Sequence, residues 1–204
     1  MITDTLCYLA LGDSYTFGEA VPETDSYPYQ LTKLLNSNSL SVQKPQIIAV
    51  TGWTTDDLIN AINQSVITNK KFDLVTLLIG VNDQYQKLSE GNYRTKFLQV
   101  LKTAITFAKG DQSRVFVLSI PDWGVTPFAN GHESSISPII DRFNAINKKI
   151  SNSLSVNYVD ITDISRQAKT DVDLVAPDGL HPSGKMHLQW VRRLGPLIIE
   201  KIKY

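Results

Sequence analysis

The sequence predicts a three-layer α/β fold, a doubly wound sheet of about five parallel strands with helices on both faces. Two observations carry this. Short apolar runs of strand length alternate along the chain with patterns of helical period, over and over, with short connections. One run, "FDLVTLLIG" at 72–80, is nearly continuous in apolar character, as a central parallel strand covered on both faces has to be. At 204 residues and 42% hydrophobic, the chain suits one domain spanning 1–204 and is short for two.

The elements follow in order. Leu6 to Leu11 reads as the first strand, stopped by Gly12-Asp13-Ser14. Ser26-Tyr27-Pro28 opens a helix carrying Leu31, Leu34 and Leu35, with Pro28 tolerated in the first turn. "QIIAV" at 46–50 is the second strand, ended by Thr51-Gly52. Thr54 is the expected N-cap of the next helix, with Asp57 three residues on and an apolar stripe of Leu58, Ile62 and Val66. After the strand at 72–80, the segment 90–109 puts Tyr93, Phe97, Leu101, Ala104, Ile105 and Ala108 on one helical face, with Gly110 at the C′ position. "RVFVLSI" at 114–120 is the fourth strand, and a long loop follows, "PDWGVTPFANGHESS". Ser137-Pro138 opens a helix whose Ile139, Phe143, Ile146 and Ile150 face inward, and "VNYVDI" at 156–161 is the fifth strand. Ser183 caps a last helix that Gly195-Pro196 should kink or interrupt.

Composition removes several classes of function. Lys+Arg and Asp+Glu are equal at 20 each, so there is no electrostatic footprint for nucleic acid or an anionic membrane. Cys7 is the single cysteine and reads as a lone buried thiol, without a disulfide framework. His132, His181 and His187 lack zinc-ligand spacing, so neither metal nor cofactor is expected. No apolar run approaches ~20 residues, so no transmembrane segment is expected. The N-terminal "MITDTLCYLALGDS" has no basic start and too short an apolar core for a signal peptide. That leaves a cytoplasmic location if the sequence is full length, or a periplasmic or secreted one if a leader was removed.

In a doubly wound sheet the functional crevice lies beyond the carboxyl ends of the strands. The residues there are Gly12-Asp13-Ser14, Thr51-Gly52-Trp53 and Gly80-Val81-Asn82-Asp83, and before the last helix comes "APDGLHPSG". Nucleophilic catalysis needs a nucleophile, a base, a group that orients the base, and oxyanion donors. Ser14 can present its hydroxyl at a strand end. Pro182 biases His181 toward extended backbone, away from the following helix. Asp178, three residues back in a Gly179-containing turn, can then accept a bond from His181 Nδ1, which leaves Nε2 for Ser14. The Ser14 and Gly52 amides and the Asn82 side chain can serve the oxyanion.

Taken singly, each of these blocks is weak. Gly-Asp-Ser is usually a turn, Gly52 a left-handed turn glycine, and Asp-x-x-His-Pro-Ser a helix start with Asp178 as a surface acid. Their joint occurrence, in order and each beyond a strand end, changes the reading. Together they resemble the SGNH hydrolases, also called the GDSL esterase/lipase family, over Gly12 to His181. The resemblance implies a flavodoxin-like fold, Ser14 as nucleophile with Asp178 and His181, and Ser14, Gly52 and Asn82 as oxyanion hole. Tyr15 departs from the leucine usual at that position, which leaves the pocket floor open. Tyr15, Phe17, Trp53, Tyr85 and Trp123 fall in crevice-side loops, as pocket lining or as ordinary loop anchors. Asp13 and Asp83 read as architectural, His132 as an exposed loop residue, and His187 as a surface or packing residue. The expected function is a serine esterase acting on a small-molecule ester, with short acyl groups favoured. Sugar deacetylation, thioester cleavage, acyl transfer and a non-catalytic binding module remain open on the same residues.

Overall fold

A computed structural model describes residues 5–67 and 69–203. Met1 to Asp4, the first residues of the stretch read for a leader, lie outside the described residues. The chain runs β1 (Tyr8–Gly12), α1 (Ser14–Phe17), α2 (Tyr27–Ser37), β2 (Gln46–Ala49), α3 (Thr55–Gln64), β3 (Leu74–Leu78), α4 (Val81–Tyr85), α5 (Glu90–Phe107), β4 (Val115–Leu118), α6 (Glu133–Ser153), β5 (Asn157–Val159), α7 (Thr162–Arg166) and α8 (Gly184–Lys203). The five strands are parallel in the order β2-β1-β3-β4-β5. This is the doubly wound α/β architecture that the alternation predicts.

Right-handed crossovers fix where the helices go. The chain steps from β1 outward to β2 and then back across β1 to β3, so α2 lies on one face and α3, α5 and α6 on the other. Contacts agree: α2 packs with α8, while α5 packs with both α3 and α6. The reversal falls between β1 and β3, and ligands bind at such switch points. The central strands are buried throughout, as continuous apolar runs require. One polar seam crosses the α2 face: the Tyr8 hydroxyl meets Thr76 Oγ1 at 2.8 Å, and Thr76 meets the Tyr27 hydroxyl at 3.1 Å. A buried hydroxyl must find such a partner or lose its hydration uncompensated.

Several local expectations change. Leu6 is joined to Val42 by an isolated bridge and lies outside β1. The α3 cap is a full capping box, with Asp57 Oδ2 accepting from the Thr54 amide at 2.9 Å and Thr54 Oγ1 from the Asp57 amide at 3.3 Å. The helix stops at Gln64, however, so Val66 falls beyond its stripe and is 91% exposed. At the end of α5 it is Lys109 that takes the left-handed C′ position, and Gly110 is one residue further, its amide reaching the Ile105 carbonyl. α6 begins at Glu133, four residues before Ser137-Pro138, with Pro138 still near its start. Its buried stripe runs through Ile136, Ile140, Phe143, Ile146 and Ile150, and Ile139 is half-buried. α8 runs unbroken through Pro196. Its N-terminal Ser183 makes only a long 3.4 Å bond to the Met186 amide and donates instead to the Asp173 carbonyl. Cys7 is free and half-buried.

Candidate active site

The loop that presents Ser14 is built by the end of β1. Gly12 is required there by close approach, since a Cβ would sit 2.3 Å from the Leu78 carbonyl oxygen and 2.1 Å from Thr16 Oγ1. Asp13 then caps the short helix α1, its Oδ1 accepting the Tyr15 amide at 3.0 Å. Ser14 is the first helical residue and lies at the crevice, 5% exposed. Its amide belongs to the free first turn of that helix, where N–H groups await an acceptor.

The second loop supplies Gly52, held left-handed at φ 85°. The third supplies Asn82, whose Nδ2 donates to the Trp53 carbonyl at 2.9 Å and so ties the two loops together. Asp83 makes the same tie from below. Buried to 1%, its carboxylate accepts the Thr55 amide at 2.9 Å and the Thr55 hydroxyl at 2.6 Å. Its architectural reading agrees with these bonds.

His181 arrives from the opposite face, in the loop before α8. Asp178 Oδ2 meets His181 Nδ1 at 2.5 Å, and Oδ1 accepts the Leu180 and His181 amides at 3.0 Å each. Partial burial would raise the Asp178 pKa, but the bonds from His181 and the two amides outweigh it and hold it below the usual carboxylate range. Asp178 is therefore held in its ionised form. No Ser14–His181 hydrogen bond is formed among the described residues; catalytic hydrogen bonds often tighten only with substrate bound.

Ser14, Gly52, Asn82 and His181 line one crevice of about 190 Å³, together with Tyr15, Tyr85 and Trp123. Phe17 and Trp53 do not line it. Phe17 is half exposed over a separate hollow beside Val21, Tyr29 and Ile47. Trp53 packs on the core and serves the site through its carbonyl. Thr51, Val81, Phe128 and Leu180 also line the crevice; the sequence placed Thr51 and Val81 at the strand ends there but assigned none of the four to the pocket. Leu180 had a readable signal, an apolar residue enclosed between Asp178 and His181. Phe128 had none, because only the 2.9 Å bond from its amide to the Gly179 carbonyl carries it there. Among the described residues no cluster of His, Cys, Asp or Glu has metal-binding geometry. His132 is exposed, and His187 is fully buried between Tyr27 and Trp190, where burial and the nearby His181 push its pKa down to about 3.

The GDSL-like lipase/acylhydrolase family model matches residues 10–188, from β1 into α8. The chain belongs to this family. Its members are ester-acting hydrolases of the SGNH fold. No curated protein matches the sequence. Among solved structures, a family 3 carbohydrate esterase of Clostridium thermocellum superposes with a TM-score of 0.76 at 22% identity, covering 98% of each chain. The protein TesA superposes at 0.76 with 13% identity, over 96% of this chain and 99% of its own. A carbohydrate acetylesterase family member from Sinorhizobium meliloti gives 0.75 at 15% identity, over 98% and 100%. These likenesses show a shared fold.

In this GDSL hydrolase the aspartate of the first motif carries a separate consequence. Asp13 is fully buried, and its Oδ2 makes no hydrogen bond among the described residues. Burial raises its pKa to about 8, with the Tyr15 amide pulling down and the Asp83 charge adding to the rise. The folded state thus holds a proton that the unfolded chain releases near pH ~4. Stability should fall as pH rises from that value to about 8, since the native state binds the extra proton throughout. Asp13→Asn should flatten this slope and gain on wild type with rising pH, read as denaturation midpoints from pH 5 to 8.5. Parallel midpoint curves for the two proteins would show that Asp13 is ionised in the fold.

Proposed function

We propose that the protein hydrolyses carboxylic esters of short acyl groups through an acyl-Ser14 intermediate, without metal or cofactor. The observation that carries this is the Asp178–His181 pair, closed at 2.5 Å and facing the same crevice as Ser14. Ser14 Oγ attacks the ester carbonyl while His181 Nε2 takes the hydroxyl proton. The Ser14 and Gly52 amides and the free N–H of Asn82 Nδ2 receive the oxyanion, the first N–H being spent on Trp53. Collapse expels the alcohol, which leaves with the proton from His181. Water then attacks the acyl-enzyme by the same path, restoring Ser14 and releasing the acid. A protonated His181 cannot begin this cycle, so kcat/KM should fall toward acid pH.

A fluorophosphonate probe with mass analysis, run beside p-nitrophenyl acetate and butyrate turnover, tests the reading. A shift on Ser14 and saturable turnover are expected. No labelling of native protein and no turnover would point to a non-catalytic module. Sugar acetates belong in the panel, since two of the structural neighbours are named as carbohydrate esterases.

Asn82→Ala should lower kcat by roughly 10²–10³ with little change in KM, because the oxyanion exists only after attack. A pure KM effect would remove Asn82 from the oxyanion hole.

The crevice volume supports a short acyl group, and the loop at 121–135 supports action on dissolved substrate. That loop is wound into two tight turns, Trp123–Val125 and Pro127–Ala129, and is pinned by the Phe128–Gly179 backbone bond. It does not form a free apolar lid. Turnover of a short-chain ester should rise smoothly through its critical micelle concentration; a sharp jump there would show interfacial activation.

A further inference from the structure

Beside the crevice at Ser14 lies a larger groove of about 820 Å³. Its floor is apolar, made of Leu88, Ile136, Ile139 and Phe143, and Arg142 is paired to Glu90 at its edge at 2.7 Å. Tyr85 and Trp123 line both cavities, so these two rings stand between them.

The partition is held rigidly. Trp123 Nε1 donates to Gln84 Oε1 at 2.8 Å, and Gln84 is itself buried. The Tyr85 ring meets Trp123 edge-on at 5.5 Å and the Phe128 ring backs it at 6.1 Å. The turn that carries Trp123 is fixed by Asp122, whose carboxylate accepts the Gly124 amide at 2.9 Å and pairs with Arg166 at 2.9 Å.

The reaction gives the groove a direction. The leaving alcohol must lie against His181, which returns its proton, and His181 enters from the face of α2 and α8. The groove lies on the other face, over the N-terminal end of α5 and along α6, and is reached past Tyr85, one helical turn after Asn82. An acyl group directed away from its leaving alcohol therefore points at Tyr85 and Trp123.

We infer that the Trp123–Tyr85 pair determines acyl-chain length, closing the Ser14 crevice against an apolar groove that could otherwise take a medium-length acyl chain. The inference rests on the ester-hydrolase reading above. Trp123 and Tyr85 are specificity-determining residues here.

The experiment compares kcat/KM for p-nitrophenyl acetate, butyrate and octanoate below their critical micelle concentrations, in wild type, Trp123→Ala and Tyr85→Ala. Wild type should favour butyrate over octanoate. Trp123→Ala should raise the octanoate-to-butyrate ratio at least tenfold, about 1.4 kcal/mol, which is no more than about two newly buried methylenes supply. Tyr85→Ala, at a half-exposed ring whose loss does not threaten the fold, should move the ratio the same way by a smaller factor. Adding Ile139→Trp to Trp123→Ala refills the groove and should bring the ratio back down. A ratio unchanged in both single variants while butyrate is still turned over would overturn the inference. So would a wild type that already prefers octanoate, or an Ile139→Trp change without effect. No turnover of any ester by wild type would instead sink the ester-hydrolase reading, and this inference with it.

Discussion

Ser14→Ala should lose turnover by on the order of 10⁴-fold or more, leaving only what the oxyanion donors and binding supply. Its melting temperature should stay within about a degree of wild type. The two expectations have separate grounds. The Ser14 hydroxyl takes part in no hydrogen bond among those of the described residues, so removing it leaves no orphaned partner. The turn around it is held by other groups, the Asp13 cap and the Gly12 approach to β3. Steady-state rates on p-nitrophenyl butyrate with a thermal melt decide the matter. A variant keeping a tenth of the wild-type rate would remove Ser14 as nucleophile.

Asp178→Asn should cost roughly 10³–10⁴ in kcat with a small change in KM. The bonding pattern explains why so small a change weighs so heavily. One Asp178 oxygen accepts two backbone amides, and the other accepts the imidazole N–H. An asparagine has one oxygen for these two tasks. If the oxygen keeps the Leu180 and His181 amides, the side-chain NH₂ faces Nδ1 and forces the imidazole proton onto Nε2. The ring then has no lone pair for the Ser14 proton. If the amide flips instead, the two backbone donors lose their acceptor and the loop loosens. A loss of less than tenfold would show that His181 is oriented by something else.

The strands and their carboxyl ends were legible in the sequence because buried parallel strands are written as short apolar runs closed by Gly, Asp and Thr. The blocks at Ser14, Gly52, Asn82 and His181 were legible for the same reason, since each follows such a run or precedes a helix. The short helices α1 and α4 were not, because four or five residues show no period. Phe17, expected beside Ser14, lines a separate hollow instead. Pro138 suggested a helix start, whereas the upstream residues Glu133 to Ser137 already continue α6. The groove was illegible in principle. Its walls come from segments near 85 and near 140, and the hydrogen bond that fixes Trp123 joins residues 39 apart in the chain.

Ser14 lies near the start of the chain and His181 near its end, and α2 packed on α8 is what brings them to one crevice. That packing is intimate: a Cβ on Gly195 would come within 2.6 Å of Leu34. The same geometry makes α8 the clock of inactivation. If that helix detaches while the sheet stays intact, hydrolysis should stop before the spectroscopic signature of unfolding appears, and should return when the helix redocks.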